Sequence, residues 1–215
     1  KHVSVEIDQL VKQAQNFAKN GVKELILIAQ ELTYYGLDLY KRRALPELLD
    51  RLCEVEGIEW IRLHYSYPSK FPLDVIHTMN KQSKVCNYLD IPLQHATDRM
   101  LSAMKRQINK KETVELIQSI RRIIPEISLR TTMLVGFPGE TEEDFEELCE
   151  FIKEHKFDRL GVFQYSHEED TSAHDLIDSV SSEIKEYRAQ RLMQIQEAIS
   201  YALNEKKRGK HYKVI

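Results

Sequence analysis

Apolar positions recur along this chain in two rhythms, and the two alternate. Ile7, Leu10, Val11, Ala14, Phe17 and Ala18 repeat at helical spacing, behind Ser4 as N-cap and ahead of Gly21 at C′. Residues 24–29 then form a short continuous apolar run, the pattern of a strand covered on both faces. A polar and aromatic loop follows at 30–36. Residues 45–55 read as helix, with Pro46 near the start and Gly57 behind. Residues 60–64 are a second strand, and the loop His64-Tyr-Ser-Tyr-Pro68 is again polar and aromatic. Pro72 opens a short helix reaching Asn80, and 88–92 is a third strand leading into Gln94-His95.

Thr97-Asp98 caps a helix running through Arg106. Asn109 and Glu112 form the capping pair of another, which reaches Ile124 and stops at Pro125. A fourth apolar run from Leu129 breaks at Gly136-Phe-Pro-Gly139, and an acidic helix opens at Thr141. Residues 159–165 are the fifth strand and 166–170 its loop. A long helix spans 183–207, and the basic tail at 206–211 turns strand-like at 213–215. Strands separated by helices, roughly 30–40 residues apart, are the rhythm of βαβ units around a parallel sheet. The class is α/β. Pattern alone leaves open a barrel or an open doubly wound sheet.

Composition narrows the picture only a little. The chain of 215 residues carries a formal net charge of −3, too little positive charge overall for a protein that wraps nucleic acid. No apolar run approaches the roughly 20 residues of a membrane span, and no signal peptide is visible, so a cytoplasmic protein is expected. Cys53, Cys86 and Cys149 lie far apart inside periodic segments; three is an odd number, and their spacing suits neither disulfides nor a metal. The chain begins at Lys1 and stops as a strand begins, the look of a fragment.

Polar residues gather in the loops after the strands: Gln30, Tyr34, Tyr35, Ser66, Tyr67, Gln94, His95, Thr132, Tyr165 and Ser166. In parallel sheets those positions converge on the ligand-binding end. Singly, each has a plainer reading. Gln94 can serve backbone groups, and His95 and His64 can be packed or hydrogen-bonded. Tyr34 and Tyr35 can cover the sheet end, and Arg106 can complement a helix dipole. The acidic run 140–147 reads as a solvated first turn. Arg130 and Thr132 differ, because they interrupt an otherwise apolar strand where an unpaired polar group costs about 1–3 kcal/mol. No phosphate-binding glycine motif, nucleophile–histidine pair or metal site is legible. The residues alone indicate an α/β domain for a small polar ligand, its catalytic groups unknown.

Three stretches carry a resemblance: residues 26–38, Ile91-Pro-Leu-Gln-His-Ala-Thr-Asp98 with Met104-Lys-Arg106, and 129–144. Together they resemble the methylthiotransferases of the radical S-adenosylmethionine superfamily, over essentially the whole chain. The loops at 29–36, 64–68 and 163–171 are similar to the RimO branch, which modifies an aspartate of a small-subunit ribosomal protein, more than to the tRNA-modifying MiaB branch. The resemblance implies a partial parallel (β/α) barrel at 1–205 and, at 206–215, a linker with the first residues of a TRAM-type domain. It implies S-adenosylmethionine and [4Fe–4S] clusters as cofactors, a 5′-deoxyadenosyl radical that takes hydrogen from the aspartate β-carbon, and installation of a methylthio group there. The partner implied is the ribosomal protein, with nucleic acid met only through the ribosome or a C-terminal domain.

By resemblance Gln94 touches the S-adenosylmethionine end of the site, Arg106 pairs with the ligand's carboxylate, and Thr132 contacts the ribose. Gln30 approaches the methionine moiety, Arg130 shares the cofactor strand, and Gly136 lets backbone pass the nucleoside. Tyr34, Tyr35, Ser66 and Tyr67 would face the substrate. One departure is large: the family's C-x-x-x-C-x-x-C cluster motif is absent. Truncation just after the motif leaves an inactive piece of an enzyme, and genuine loss leaves a non-catalytic binding or docking module.

Overall fold

The computed structural model describes residues 3–169, 171 and 173–213. Val214 and Ile215, on which the strand-like end of the tail was expected, lie outside the described residues, as does Asp170 of the quoted loop. The five strands, β1 (Glu24–Leu27), β2 (Trp60–Leu63), β3 (Val85–Asp90), β4 (Ser128–Val135) and β5 (Arg159–Gln164), are parallel in the registers β1–β2, β2–β3 and β4–β5. The chain divides into two compact units. One runs to Pro92 and takes in Lys111–Leu129; the other comprises Leu93–Lys110 and the chain from Arg130 onward.

In the first unit, α1 (Ile7–Lys19) buries Ile7, Val11 and Ala14, the stripe expected of an amphipathic helix. Glu6, not Ser4, occupies its N-cap. Ser4 is engaged elsewhere: its hydroxyl accepts from Gly36 N–H at 2.9 Å and its own N–H donates to Asp38 at 2.8 Å. At the other end Gly21 N–H reaches Ala18 O and Val22 N–H reaches Phe17 O, the paired bonds of a Schellman motif. The strands β1 (Glu24–Leu27), β2 (Trp60–Leu63) and β3 (Val85–Asp90) pair in parallel, Glu24 opposite Trp60 and Leu63 opposite Leu89. Helices α3 (Leu45–Cys53), α4 (Leu73–Lys81) and α6 (Lys110–Ile123) accompany them, and Leu49, Ile61, Leu63, Ile76, Leu89 and Ile120 are fully buried.

β1 corrects one expectation. Ile26 is 49% exposed and Ile28, just beyond the strand, 64%, so the run is not covered on both faces. A continuous apolar run looks the same in sequence whether one face is covered or two. The loop after β1 also holds more order than its polarity suggested. Leu32–Tyr34 is a 3₁₀ turn capped by Glu31, and α2 (Leu37–Tyr40) follows. Gly36 admits no side chain between them: its φ is +90°, and a Cβ there would sit 2.7 Å from Ala44 Cβ.

In the second unit, α5 (Asp98–Ala103) is capped by Thr97, whose hydroxyl accepts from Met100 N–H at 3.3 Å. It stops three residues before Arg106. Lys105 takes a left-handed φ of 54° and Arg106 N–H returns to Leu101 O, so the chain reverses in a second Schellman motif. Arg106 therefore lies beyond the helix rather than in its last turn. β4 (Ser128–Val135) pairs with β5 (Arg159–Gln164), Thr132 opposite Gly161 and Leu134 opposite Phe163. Along β4 the buried positions are Leu129, Thr131, Met133 and Val135, while Ser128, Arg130, Thr132 and Leu134 are half-buried. α7 (Glu142–His155) and α8 (Ser182–Glu205) pack on each other, and α8 on β5.

Candidate functional site

In the second unit the strand-end residues come together through backbone. Gln94 N–H donates to Thr132 O at 2.9 Å and Leu134 N–H donates to Gln94 O at 2.8 Å, which clips the segment after β3 alongside β4. Gln94 holds a φ of 75°, uncommon for a residue with a side chain. Arg130 and Thr132 share the half-buried face of β4, which explains how polar groups interrupt an apolar strand: they alternate with the buried row instead of joining it.

The turn after β4 is built around a carboxylate. Glu140, with a fully buried side chain, accepts from Gly136 N–H on Oε2, from Arg188 Nη1 on the same oxygen at 2.8 Å, and from His95 Nε2 on Oε1 at 3.1 Å. His95 Nδ1 accepts from Thr97 N–H at 3.2 Å, which places the ring proton on Nε2 and makes the ring a donor to Glu140. Arg188 Nη1 also reaches Glu140 O at 3.3 Å, and its Nη2 reaches Glu142 at 3.2 Å. Asp144 is a second hub. It accepts from Thr97 Oγ1 at 3.1 Å and Arg99 Nε at 3.3 Å, and closes a capping box with Thr141.

These contacts correct the reading of residues 140–147 as solvated and bear out the packed role for His95. Glu140 and Asp144 are buried. Two charges taken out of water are tolerated only when paired and otherwise hydrogen-bonded, which these are. Sequence reading missed Arg188 and Lys185. The buried stripe of α8 is Lys185, Arg188, Leu192 and Gln196, spaced as a helix face should be but mostly polar, so it reads as a solvent face.

Gly136 is hemmed in from within its own unit. Its φ is +75°, and a Cβ there would collide with Lys185 Cγ. Lys185 Nζ is 2.5 Å from Asp178 Oδ2 and lies 5.1 Å from the Tyr165 ring centroid. Tyr165 in turn packs edge-on against Phe137, centroids 5.2 Å apart, in a small cluster with Met100.

In the first unit, Glu31 gathers two loops. Its carboxylate accepts from Thr33 N–H at 2.9 Å, Thr33 Oγ1 at 2.6 Å and Tyr67 N–H at 3.1 Å. Gln30 is exposed, and so is Tyr34, under the Arg43 guanidinium at 5.4 Å. Tyr67 is half-buried. Tyr35 and Ser66 are buried; the Tyr35 hydroxyl donates to Val5 O at 2.6 Å, and Ser66 N–H donates to Asp90 O at 3.0 Å. Burial pushes the Tyr35 hydroxyl pKa well above its ordinary value.

The residues present fit one implied cofactor and not the other. Two guanidiniums, a hydroxyl and an amide, at Arg106, Arg130, Thr132 and Gln94, suit a carboxylate and a ribose. For an iron–sulfur cluster the fit fails. Cys53, Cys86 and Cys149 fall on α3, β3 and α7, and no group of three His, Cys, Asp or Glu among the described residues is placed to hold a metal. Burial also pushes the Cys53 and Cys149 thiols up to about 11, the reverse of what thiolate ligands need.

Comparison with known proteins bears on the family and the fold. The Radical SAM superfamily model matches residues 1–152. The chain is 55% identical over 215 residues to the ribosomal protein uS12 methylthiotransferase RimO of Flavobacterium psychrophilum, covering all of this chain and 50% of that protein. It is 56% identical over 215 residues to the RimO of Cytophaga hutchinsonii, covering 49% of it. The chain thus spans about half the length of the curated relatives it matches. Among solved structures, coproporphyrinogen III oxidase HemN of Escherichia coli, described as a radical SAM enzyme, superposes with a TM-score of 0.63 at 19% identity, over 92% of this chain and 46% of that one. The methyltransferase TsrM of Kitasatospora setae gives 0.58 at 16% identity, over 74% and 31%. Among the described residues no helix is long and apolar enough to cross a membrane. The parallel α/β fold and the family model agree, and the chain belongs to the radical SAM superfamily.

Proposed function

We propose that this chain is the S-adenosylmethionine-binding core of an enzyme that adds a methylthio group to the β-carbon of an aspartate in ribosomal protein uS12. The observation that carries the reading is the identity of 55% to RimO along the entire chain rather than at isolated motifs. In this reading the Arg106 guanidinium pairs with the ligand's carboxylate, Thr132 meets the ribose hydroxyls, and Gln94 and Arg130 flank them on the same unit. Gly136 holds the turn that borders the nucleoside. Gln30, Tyr34 and Tyr67 offer polar groups after β1 and β2, Tyr34 and Tyr67 toward the substrate; Tyr35 and Ser66, being buried, shape those loops from behind. When bound, S-adenosylmethionine supplies the sulfonium whose reductive cleavage starts the chemistry. The iron–sulfur clusters are supplied from outside this chain, whose own cysteines do not fit them. Residues 1–205 form the core and 206–215 the linker toward a TRAM-type domain, in a cytoplasmic protein.

The test uses the full-length protein that contains this chain. It is reconstituted with iron and sulfide, then incubated with S-adenosylmethionine, reductant and small ribosomal subunits. A methylthio mass increment on the aspartate of uS12 is expected. An unmodified uS12 together with modified adenosine in a parallel tRNA reaction would overturn the substrate assignment.

A further inference from the structure

Lys185 and Arg188 lie one turn apart near the start of α8, and both reach back to the turn after β4. Lys185 lays its stem over Gly136 and carries its ammonium to Asp178; Arg188 meets the Glu140 carboxylate that also holds Gly136 N–H and His95. His95 is the neighbour of Gln94, and Gln94 is bonded on both sides to β4 around Thr132. One buried carboxylate thus links α8 to the two backbone segments that carry Gln94, Thr132 and Gly136. Interiors are close-packed, so a displacement of Arg188 or Lys185 is passed on to these segments instead of being absorbed.

We propose that the first turns of α8 latch the cofactor half-site, with Arg188 and Lys185 as positioning residues that set the backbone of Gly136 and Gln94 for S-adenosylmethionine. Neither touches the ligand; each acts through the turn. Arg188 is suited to this because its planar fork spans Glu140 and Glu142 at once, 2.8 Å and 3.2 Å away. Lys185 is suited because a buried four-carbon stem fills the space a glycine leaves.

The inference rests on the cofactor reading above, and the experiment separates the two. Full-length, cluster-loaded protein is titrated calorimetrically with S-adenosylhomocysteine, and its thermal midpoint is measured in parallel. Arg188→Met is expected to weaken affinity tenfold or more, and Lys185→Met severalfold. Arg188→Lys should recover part of the loss by restoring the charge beside Glu140. Leu192→Ala, which empties a fully buried site one turn further along α8, lowers the thermal midpoint but should leave affinity within twofold. If Arg188→Met does not fold, the double variant Glu140→Gln/Arg188→Met, which leaves no lone buried charge, carries the same expectation. Unchanged affinity in the Arg188 variants, or equal weakening by Leu192→Ala, overturns the latch and leaves the cofactor reading intact. A wild-type protein that binds no S-adenosylhomocysteine overturns both.

Discussion

Both units must fix a loop at the end of a parallel strand, and each does so with one glutamate. In the first, Glu31 is half-buried and meets neutral donors, two backbone amides and a hydroxyl. In the second, Glu140 is sealed from solvent and answers a guanidinium as well. The difference lies in what happens when the arrangement fails. Water can replace lost partners at Glu31. At Glu140 it cannot, and removing Arg188 leaves the carboxylate in the interior without its counter-charge. The first loop is secured locally, whereas the second is tied to a helix 48 residues away.

Glu140→Ala tests this most severely. It leaves the buried Arg188 only the exposed Glu142 and should cost about 3–5 kcal/mol by urea denaturation of the full-length protein, against a loss of about 1–3 kcal/mol for Glu31→Ala. Equal losses would erase the distinction between the hubs. Glu31→Ala itself should raise amide exchange at Thr33 and Tyr67 while leaving Gly136 protected, since their N–H groups bond to different carboxylates. Exchange spreading to Gly136 would show the hubs to be coupled. Thr141→Ala removes half of the capping box that holds Asp144, and about 1 kcal/mol should go with it. A loss as large as that of Glu140→Ala would move the weight of the second unit onto Asp144.

The smallest difference needs no mutation. Cys53 on α3 and Cys149 on α7 are each raised by burial from 9.0 to about 11. The unfolded chain ionises first, so their contribution to stability is intact below pH 9 and declines between pH 9 and pH 11. Denaturation midpoints should therefore fall in that interval alike for both units. Reaction of Cys53 with a disulfide reagent should keep accelerating past pH 9, where an ordinary thiol is half ionised. A rate that levels off near that pH would show an unperturbed thiol.

What the sequence disclosed and what it hid divide along physical lines. Caps are local, so Thr97 and Thr141 were legible from their own neighbours. The order of strands and helices was legible because periodicity is local too. The end of α5 was not: the reversal at Lys105 depends on a left-handed residue that is not glycine. The exposed side of β1 was hidden because hydrophobicity alone does not say which face a neighbour covers. The Glu140–Arg188 pair was hidden most deeply. It joins residues distant in the chain, and one of them sits on a helix stripe whose polarity imitates a surface. Of the candidate site, the structure bonds Gln94 to β4 at Thr132 and Leu134, while Tyr35 and Ser66 in the first unit are buried.

Gln94 carries a consequence of its own. A left-handed backbone at a residue with a side chain costs of order 1 kcal/mol, and glycine would occupy the same turn without that strain. A selection acting on stability alone would drift toward glycine there. If the proposed role of Gln94 holds, the turn records a trade-off, a small permanent instability accepted where that reading calls for an amide side chain.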